Sequence, residues 1–260
     1  MKKIVVIGAT GDVGRGIVAE LLPAGHHVVA VARDAVRLAA LVAEFAPAAA
    51  AAPAADNTAT LSTLVGSVAT DASAAELLGA IRAVHGTPAA VIVSINSARR
   101  PQPLSDYDTG QFASLIGGDL FSHFTAAHCF IPALSAGGTY IGIGGGSCDF
   151  VLHDGVPQSV AQAALRMLYR GLAHEHRDSP VHIRELIVAS VVNGVSTRAF
   201  ADPSWVTERE IGAQVAAIVA APEQYPAPIL RLARRDATGL PAFSLEAPSR
   251  VQGFRQPTAS

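Results

Sequence analysis

The stretch "KIVVIGATGDVGRGI" (3–17) decides the fold. Four apolar residues run up to a glycine, and a helical pattern begins a few residues later. A short, continuously apolar run of this kind is a strand buried on both faces, as in a parallel sheet. Gly8, Gly11 and Gly14 then fall as GxxGxxG between that strand and the head of the helix. Small residues at this spacing let the chain turn tightly and approach a pyrophosphate, whose charge meets unpaired amides at the helix N-terminus. Glycines also serve ordinary turns, but the strand–turn–helix context gives this spacing a mechanism. The segment predicts a dinucleotide site contacted by Gly8, Thr10, Gly11, Asp12, Val13 and Gly14.

Outward from there, strands and helices alternate to the end of the chain. "HHVVAVAR" (26–33) is a second strand, and "DAVRLAALVAEF" (34–45) is a helix that Asp34 can cap. A third strand is expected in "LVGSVA" (64–69), and further strands in "AAVIVSI" (89–95), "GTYIGIGG" (138–145), "VHIRELIVAS" (181–190) and "APILRLA" (227–233). Between them lie helices at 72–86, up to about 138, 157–176 and 208–221. Such alternation implies right-handed crossovers and a parallel sheet covered on both faces, in one domain. The Ala/Pro stretch 46–56 reads either as a surface excursion or as an extension of the preceding helix until Pro47 or Pro53 stops it. The domain is expected over 1–240, with 241–260 as a C-terminal tail whose Pro and Ser content favours a frayed end.

Composition narrows the function. The chain has 260 residues, half of them hydrophobic and 15% charged, which suits a globular protein with a substantial core. A net charge of −2 argues against a general nucleic-acid or anionic-membrane surface. No apolar run reaches membrane-span length, and the start lacks the long apolar stretch of a secretory signal. Cys129 and Cys148 form neither a disulfide framework nor a metal-ligand spacing. The cytoplasm is the expected compartment.

Cofactor preference is read at the end of the second strand. An acidic residue there would bind the adenosine ribose hydroxyls, but this chain has Ala32, then Arg33, with Arg37 one helical turn on. A guanidinium suits a 2′-phosphate, so NADP(H) is expected over NAD(H).

Over nearly its whole length the chain resembles the short-chain dehydrogenase/reductase superfamily. "IGATGDVGRGI" is similar to the family's glycine motif, and "AELLGAIRAVHGTPAAVIVSINSA" to the helix, strand and Asn-containing turn beside the adenine, which implies a cofactor role for Asn96. "DLFSHFTAAHCFIPAL" resembles the long fourth helix and "AALRMLYRGLAHEH" the helix that carries the active-site lysine. The resemblance implies an α/β, Rossmann-type doubly wound sheet of about seven strands in the order 3-2-1-4-5-6-7. It also implies a small-molecule substrate at the carboxyl ends of the strands, and a homodimer or homotetramer.

The family's catalytic positions fall on other residues here. Its asparagine falls on Asp119, its serine on Gly145 within "GGGSCDF" (144–150), its tyrosine on Gln158 and its lysine on Gln162. The only lysines are Lys2 and Lys3, so no YxxxK motif exists anywhere. Glutamine can donate a hydrogen bond but cannot supply a proton near neutral pH. The candidate catalytic set is Asp119, Ser147, Gln158 and Gln162, with Asp119 and His123 four apart on a helix as a candidate pair. His153 and Asp154 lie in the following loop, and Arg99 and Arg100 follow the fourth strand. The expected function is an NADP(H)-binding oxidoreductase with an altered active site, acting on a small carbonyl or activated C=C. The alternatives are a non-catalytic NADPH sensor and a non-redox isomerase or cyclase on the same scaffold.

Overall fold

The computed structural model describes residues 1–50, 60–97 and 101–247. Its strands are β1 (Lys3–Ile7), β2 (His27–Ala32), β3 (Thr60–Val65), β4 (Ala90–Val93), β5 (Thr139–Gly145), β6 (His182–Ala189), the two-residue β7 (Val192–Asn193) and β8 (Val206–Thr207), β9 (Ile229–Arg235) and β10 (Pro241–Leu245). The helices are α1 (Asp12–Leu21), α2 (Ala35–Ala50), α3 (Asp71–His85), α4 (Thr109–Ile116), α5 (Ser122–Phe130), α6 (Val156–Glu175) and α7 (Glu208–Ala220). The main sheet runs β3-β2-β1-β4-β5-β6-β9-β10, all parallel except the β9–β10 pair. This is a Rossmann-type single domain with the expected strand order, extended by one antiparallel edge strand.

Side-chain alternation along the strands divides the core in two. In β1, Ile4 and Val6 pack with Ile17 and Leu21 of α1 and with Ile211 and Val215 of α7. Val5 and Ile7 point the other way, to Leu77 and Ile81 of α3, Phe130 of α5 and Leu165 and Tyr169 of α6. Glycine allows α1 and α7 to touch main chain to main chain: a Cβ on Gly16 would strike the Glu208 carbonyl, and one on Gly212 the Gly16 carbonyl. The helix starts carry the expected signals. Asp34 accepts from the amides of Val36 (2.8 Å) and Arg37 (3.1 Å). Thr70 with Ser73 and Thr207 with Glu210 form capping boxes at α3 and α7.

Four expectations change. The third strand is Thr60–Val65 and not 64–69, because its pairing with β2 is closed at Ala32–Val65, beyond which Gly66 leaves the sheet. The helix after β2 runs through Pro47 to Ala50, so of the two readings of that stretch extension holds that far, and 51–59 lie outside the described residues. The long fourth helix is broken by a π-helical turn over Gly117–Phe121, between α4 and α5. The sheet has one more strand than the resemblance implied. Pro241–Leu245, within the stretch read as a tail, pairs with β9, and its Pro sits at the strand's first residue, a position that a strand tolerates. Arg99, Arg100 and 248–260 lie outside the described residues. Among the described residues no helix is long and apolar enough to cross a membrane.

Candidate functional site

The turn after β1 depends on glycine at two positions. Gly8 has φ +86°, and a Cβ there would collide with the Ser94 carbonyl of the neighbouring loop. A Cβ on Gly14 would collide with the Gly8 carbonyl, so the first turn of α1 rests directly on the strand end. The Gly8 and Ala9 amides both donate to Val31 O, at 2.9 and 3.1 Å, which closes the corner onto β2. Gly11, the N-cap of α1, makes no side-chain cap. The helix therefore begins with amides that no capping side chain takes, the arrangement that receives an anion.

These amides face a cleft of about 1040 Å³ at the carboxyl ends of the strands. Gly11, Asp12 and Val13 line one end, with Ser94–Asn96 beyond β4, Ile143–Ser147 at the end of β5 and Val188–Val192 at the end of β6 and just past it. A smaller pocket of about 190 Å³ shares Asn96 and Leu152 with it and is lined further by Tyr107, Asp119, His153 and Gln158. At the β2 end, Arg37 lines the cleft and donates through Nη2 to Thr10 O at 2.6 Å. Arg33 is exposed at the end of β2 and is not among the lining residues.

Of the residues expected at the family's catalytic positions, Asp119, Gln162 and Gly145 hold one another. Asp119, 1% exposed in the π turn, accepts from Ser97 N (2.5 Å) on Oδ1 and from Gln162 Nε2 (3.3 Å) on Oδ2. Gln162 in turn accepts from Gly145 N at 2.6 Å. One buried chain thus links the loop after β4, the π turn, α6 and the glycine run. With an N–H donor on each oxygen, Asp119 is arranged as an acceptor. Gln158 is buried in the wall of the smaller pocket, and Ser147 lines the main cleft.

The glycine run at the end of β5 has a packing cause. A Cβ on Gly142 would occupy the place of the Tyr169 phenol, one on Gly144 the Glu185 carboxyl, and one on Gly146 would lie 2.7 Å from Ala189 Cα. A Cβ on Gly145 would lie 3.3 Å from Gln162 Oε1. Large side chains from α6 and β6 press on this strand, and only glycine leaves room for them.

Asp119 and His123 do not pair. Asp119 sits inside the π turn, which breaks the 3.6-residue register on which the pairing relied. His123, fully buried, has Nε2 at 3.2 Å from Ile95 O and Nδ1 at 3.0 Å from Tyr169 Oη. Burial pushes its imidazole down to about 4. The neutral ring donates from Nε2 to the carbonyl and accepts the phenol proton on Nδ1. His153 has a 97% exposed side chain 3.5 Å from Asp154. Burial pushes the Cys148 thiol up to about 11, away from thiolate reactivity.

Two features escaped the sequence. Glu185, in the middle of β6, is 1% exposed, and its Oε2 has no hydrogen-bond partner among the described residues. Burial pushes its carboxyl up to about 8, against the pull of Arg166. An acid followed by an apolar run within a predicted buried strand was the available signal. The second is a crossing contact: the Asp12 carboxylate accepts from Ser196 Oγ and Ser196 N, joining α1 to the segment after β7. No local pattern announces a bond between residues 184 positions apart.

Comparison with known proteins agrees with this architecture. Among solved structures, the citronellol catabolism dehydrogenase of Pseudomonas aeruginosa PAO1 superposes with TM-score 0.75 at 16% identity, over 92% of this chain and 95% of that one. A short-chain type dehydrogenase/reductase from Mycobacterium ulcerans gives 0.78 at 15%, over 93% and 92%. A metagenomic short-chain oxidoreductase in complex with NADP gives 0.73 at 21%, over 89% and 96%. A search of curated protein sequences returns no match. The short chain dehydrogenase profile matches residues 2–202, from β1 past the glycine corner, the π turn and α6, and by that match the chain belongs to the short-chain dehydrogenase family.

Proposed function

We propose that the protein is an NADP(H)-dependent oxidoreductase with an altered active site, moving hydride to or from a small carbonyl or activated C=C compound. One observation carries the cofactor reading. The glycine corner has no room for a Cβ on Gly8 or Gly14, its helix amides carry no side-chain cap, and it opens onto a cleft that Arg37 lines, with no carboxylate at the end of β2. The α1 amides and the glycine turn would hold the pyrophosphate, Asn96 would stand beside the adenosine, and Arg33 and Arg37 would meet the 2′-phosphate. When bound, the dinucleotide supplies a hydride.

The rest falls to the chain. Gln158 lines the smaller pocket and would offer its amide hydrogens to a substrate oxygen, and Ser147 would offer a hydroxyl from the main cleft. Asp119, Gln162 and Gly145 fix the pocket floor. None of these replaces a proton donor, which ordinarily contributes about 10²–10⁴ in rate. Substrates already activated toward hydride are therefore favoured. Exposed Phe121, Phe124 and Met167 on α5, its π turn and α6 support a homo-oligomer.

A second reading, a binding-only NADPH sensor, is favoured by the same closed Asp119–Gln162–Gly145 chain, which spends the catalytic positions on one another. The test is to titrate NADPH and NADH into wild type, Arg33→Ala and Arg37→Ala, and to follow NADPH oxidation with diketones and enones. Tighter NADPH binding that Arg37→Ala weakens about 10- to 100-fold, the worth of a charged hydrogen bond, supports the cofactor assignment. Oxidation of NADPH by any member of that panel selects the enzyme over the sensor.

A further inference from the structure

The segment 190–200 forms a wall of the cleft through Ser190, Val191, Val192, Ser196 and Thr197. It is internally braced: Thr197 Oγ1 donates to Val192 O at 2.5 Å and accepts from Gly194 N at 3.0 Å. Arg198 pairs with Glu208 of α7 at 2.8 Å, and Ser190 Oγ accepts from Val206 N at 3.2 Å. Among the described residues, its hydrogen bonds to α1 all end on Asp12, whose carboxylate takes Ser196 Oγ and Ser196 N. The contact is close as well as polar, since a Cβ on Gly194 would lie 2.6 Å from Asp12 Cβ.

Asp12 is the first residue of the helix whose amides open on the cleft. A carboxylate there would repel a phosphate if left free, and Ser196 engages it and draws it to the far wall. We propose that Asp12 and Ser196 form a latch that fastens the 190–200 segment across the cleft and sets how long the dinucleotide stays bound. The Asp12 side chain is then a positioning group and not a phosphate ligand. The inference rests on the reading of the cleft as a nucleotide site, and it adds a determinant that the glycine corner does not contain.

The latch makes a coupled prediction that a phosphate contact does not. The chain's one tryptophan, Trp205, follows the segment and serves as energy donor to NADPH in a stopped-flow chase with excess NADP⁺. Release from Asp12→Ala and from Ser196→Ala should each be faster by about 10- to 100-fold, as for loss of a charged hydrogen bond. The double variant should release no faster than Asp12→Ala, which already removes the bonds from both Ser196 Oγ and Ser196 N. Both positions lie at the surface end of α1 or in a loop, and far-ultraviolet circular dichroism confirms folding. Tryptic cleavage after Arg198 in the nucleotide-free protein should speed up in both variants, a readout that needs no cofactor. Release at the wild-type rate from Ser196→Ala, or additive effects in the double variant, overturns the latch while leaving the nucleotide site standing. Failure of wild type to take up NADPH overturns the site and the latch together.

Discussion

Gly142 shows how little freedom single residues have around this cleft. Its missing Cβ is the space that the Tyr169 phenol fills, and that phenol donates to His123, whose Nε2 reaches the carbonyl of Ile95 at the cleft wall. Gly142→Ala should therefore cost about 1–3 kcal/mol by overpacking, read as a lower urea midpoint with unchanged m-value. An unchanged midpoint would mean that the ring moves aside freely. At this scale the sequence was informative where chemistry is local. The GxxGxxG spacing and Arg37 could be read without a structure, because a turn and a helix start are set by near neighbours. The glycine run 144–146 could not, since its cause lies in Glu185, Gln162 and Ala189 on other elements.

Among elements, the π turn between α4 and α5 connects fold to site. It places Asp119 where the loop after β4 and Gln162 of α6 both reach it. Asp119→Ala removes both acceptors and leaves the Ser97 amide and the Gln162 amide without their partner, at a cost of about 1–3 kcal/mol for each buried group. Hydrogen exchange should then quicken at Ser97 and at Gly145, whose partner Gln162 loses its anchor. Exchange unchanged at both amides would show that the chain of bonds is not a unit. Helical patterning marked a long helix ending near 138 but could not reveal an extra residue in one of its turns, because side-chain spacing alone does not register a single wide turn. The edge strand β10 was missed for a related reason. Its Pro and Ser content reads as a tail, while its placement comes from the β9 ladder and from Glu246, which bonds Arg166 at 3.3 Å and Arg170 at 2.6 Å on α6.

At the scale of the molecule, two buried titratable groups give the fold an asymmetric pH dependence. His123 is held neutral down to about 4, against 6.5 in the unfolded chain, so its contribution is lost as pH falls through that window. Glu185 keeps its proton up to about 8, against 4.5 unfolded, so its contribution is lost as pH rises from 4.5 to 8. The two slopes oppose each other between 4.5 and 6.5, and above 6.5 Glu185 is the one of the two that acts. Stability should fall from there to pH 8 by up to about 1.4 kcal/mol per pH unit, and Glu185→Gln should flatten the fall. Urea unfolding across that range measures it, and a wild-type slope that survives in Glu185→Gln would remove Glu185 as its source. The doubly wound sheet itself was legible from the chain's alternation of apolar runs and helical patterns, because a parallel sheet writes its buried strands as continuous apolar segments.

The most direct test of the central claim is calorimetric titration of the full chain with NADPH and, separately, with NADH. The phosphorylated dinucleotide should bind one per chain and more tightly than NADH, with the advantage reduced in Arg37→Ala. Equal affinities unaffected by that substitution, or no heat from either nucleotide, would contradict the account.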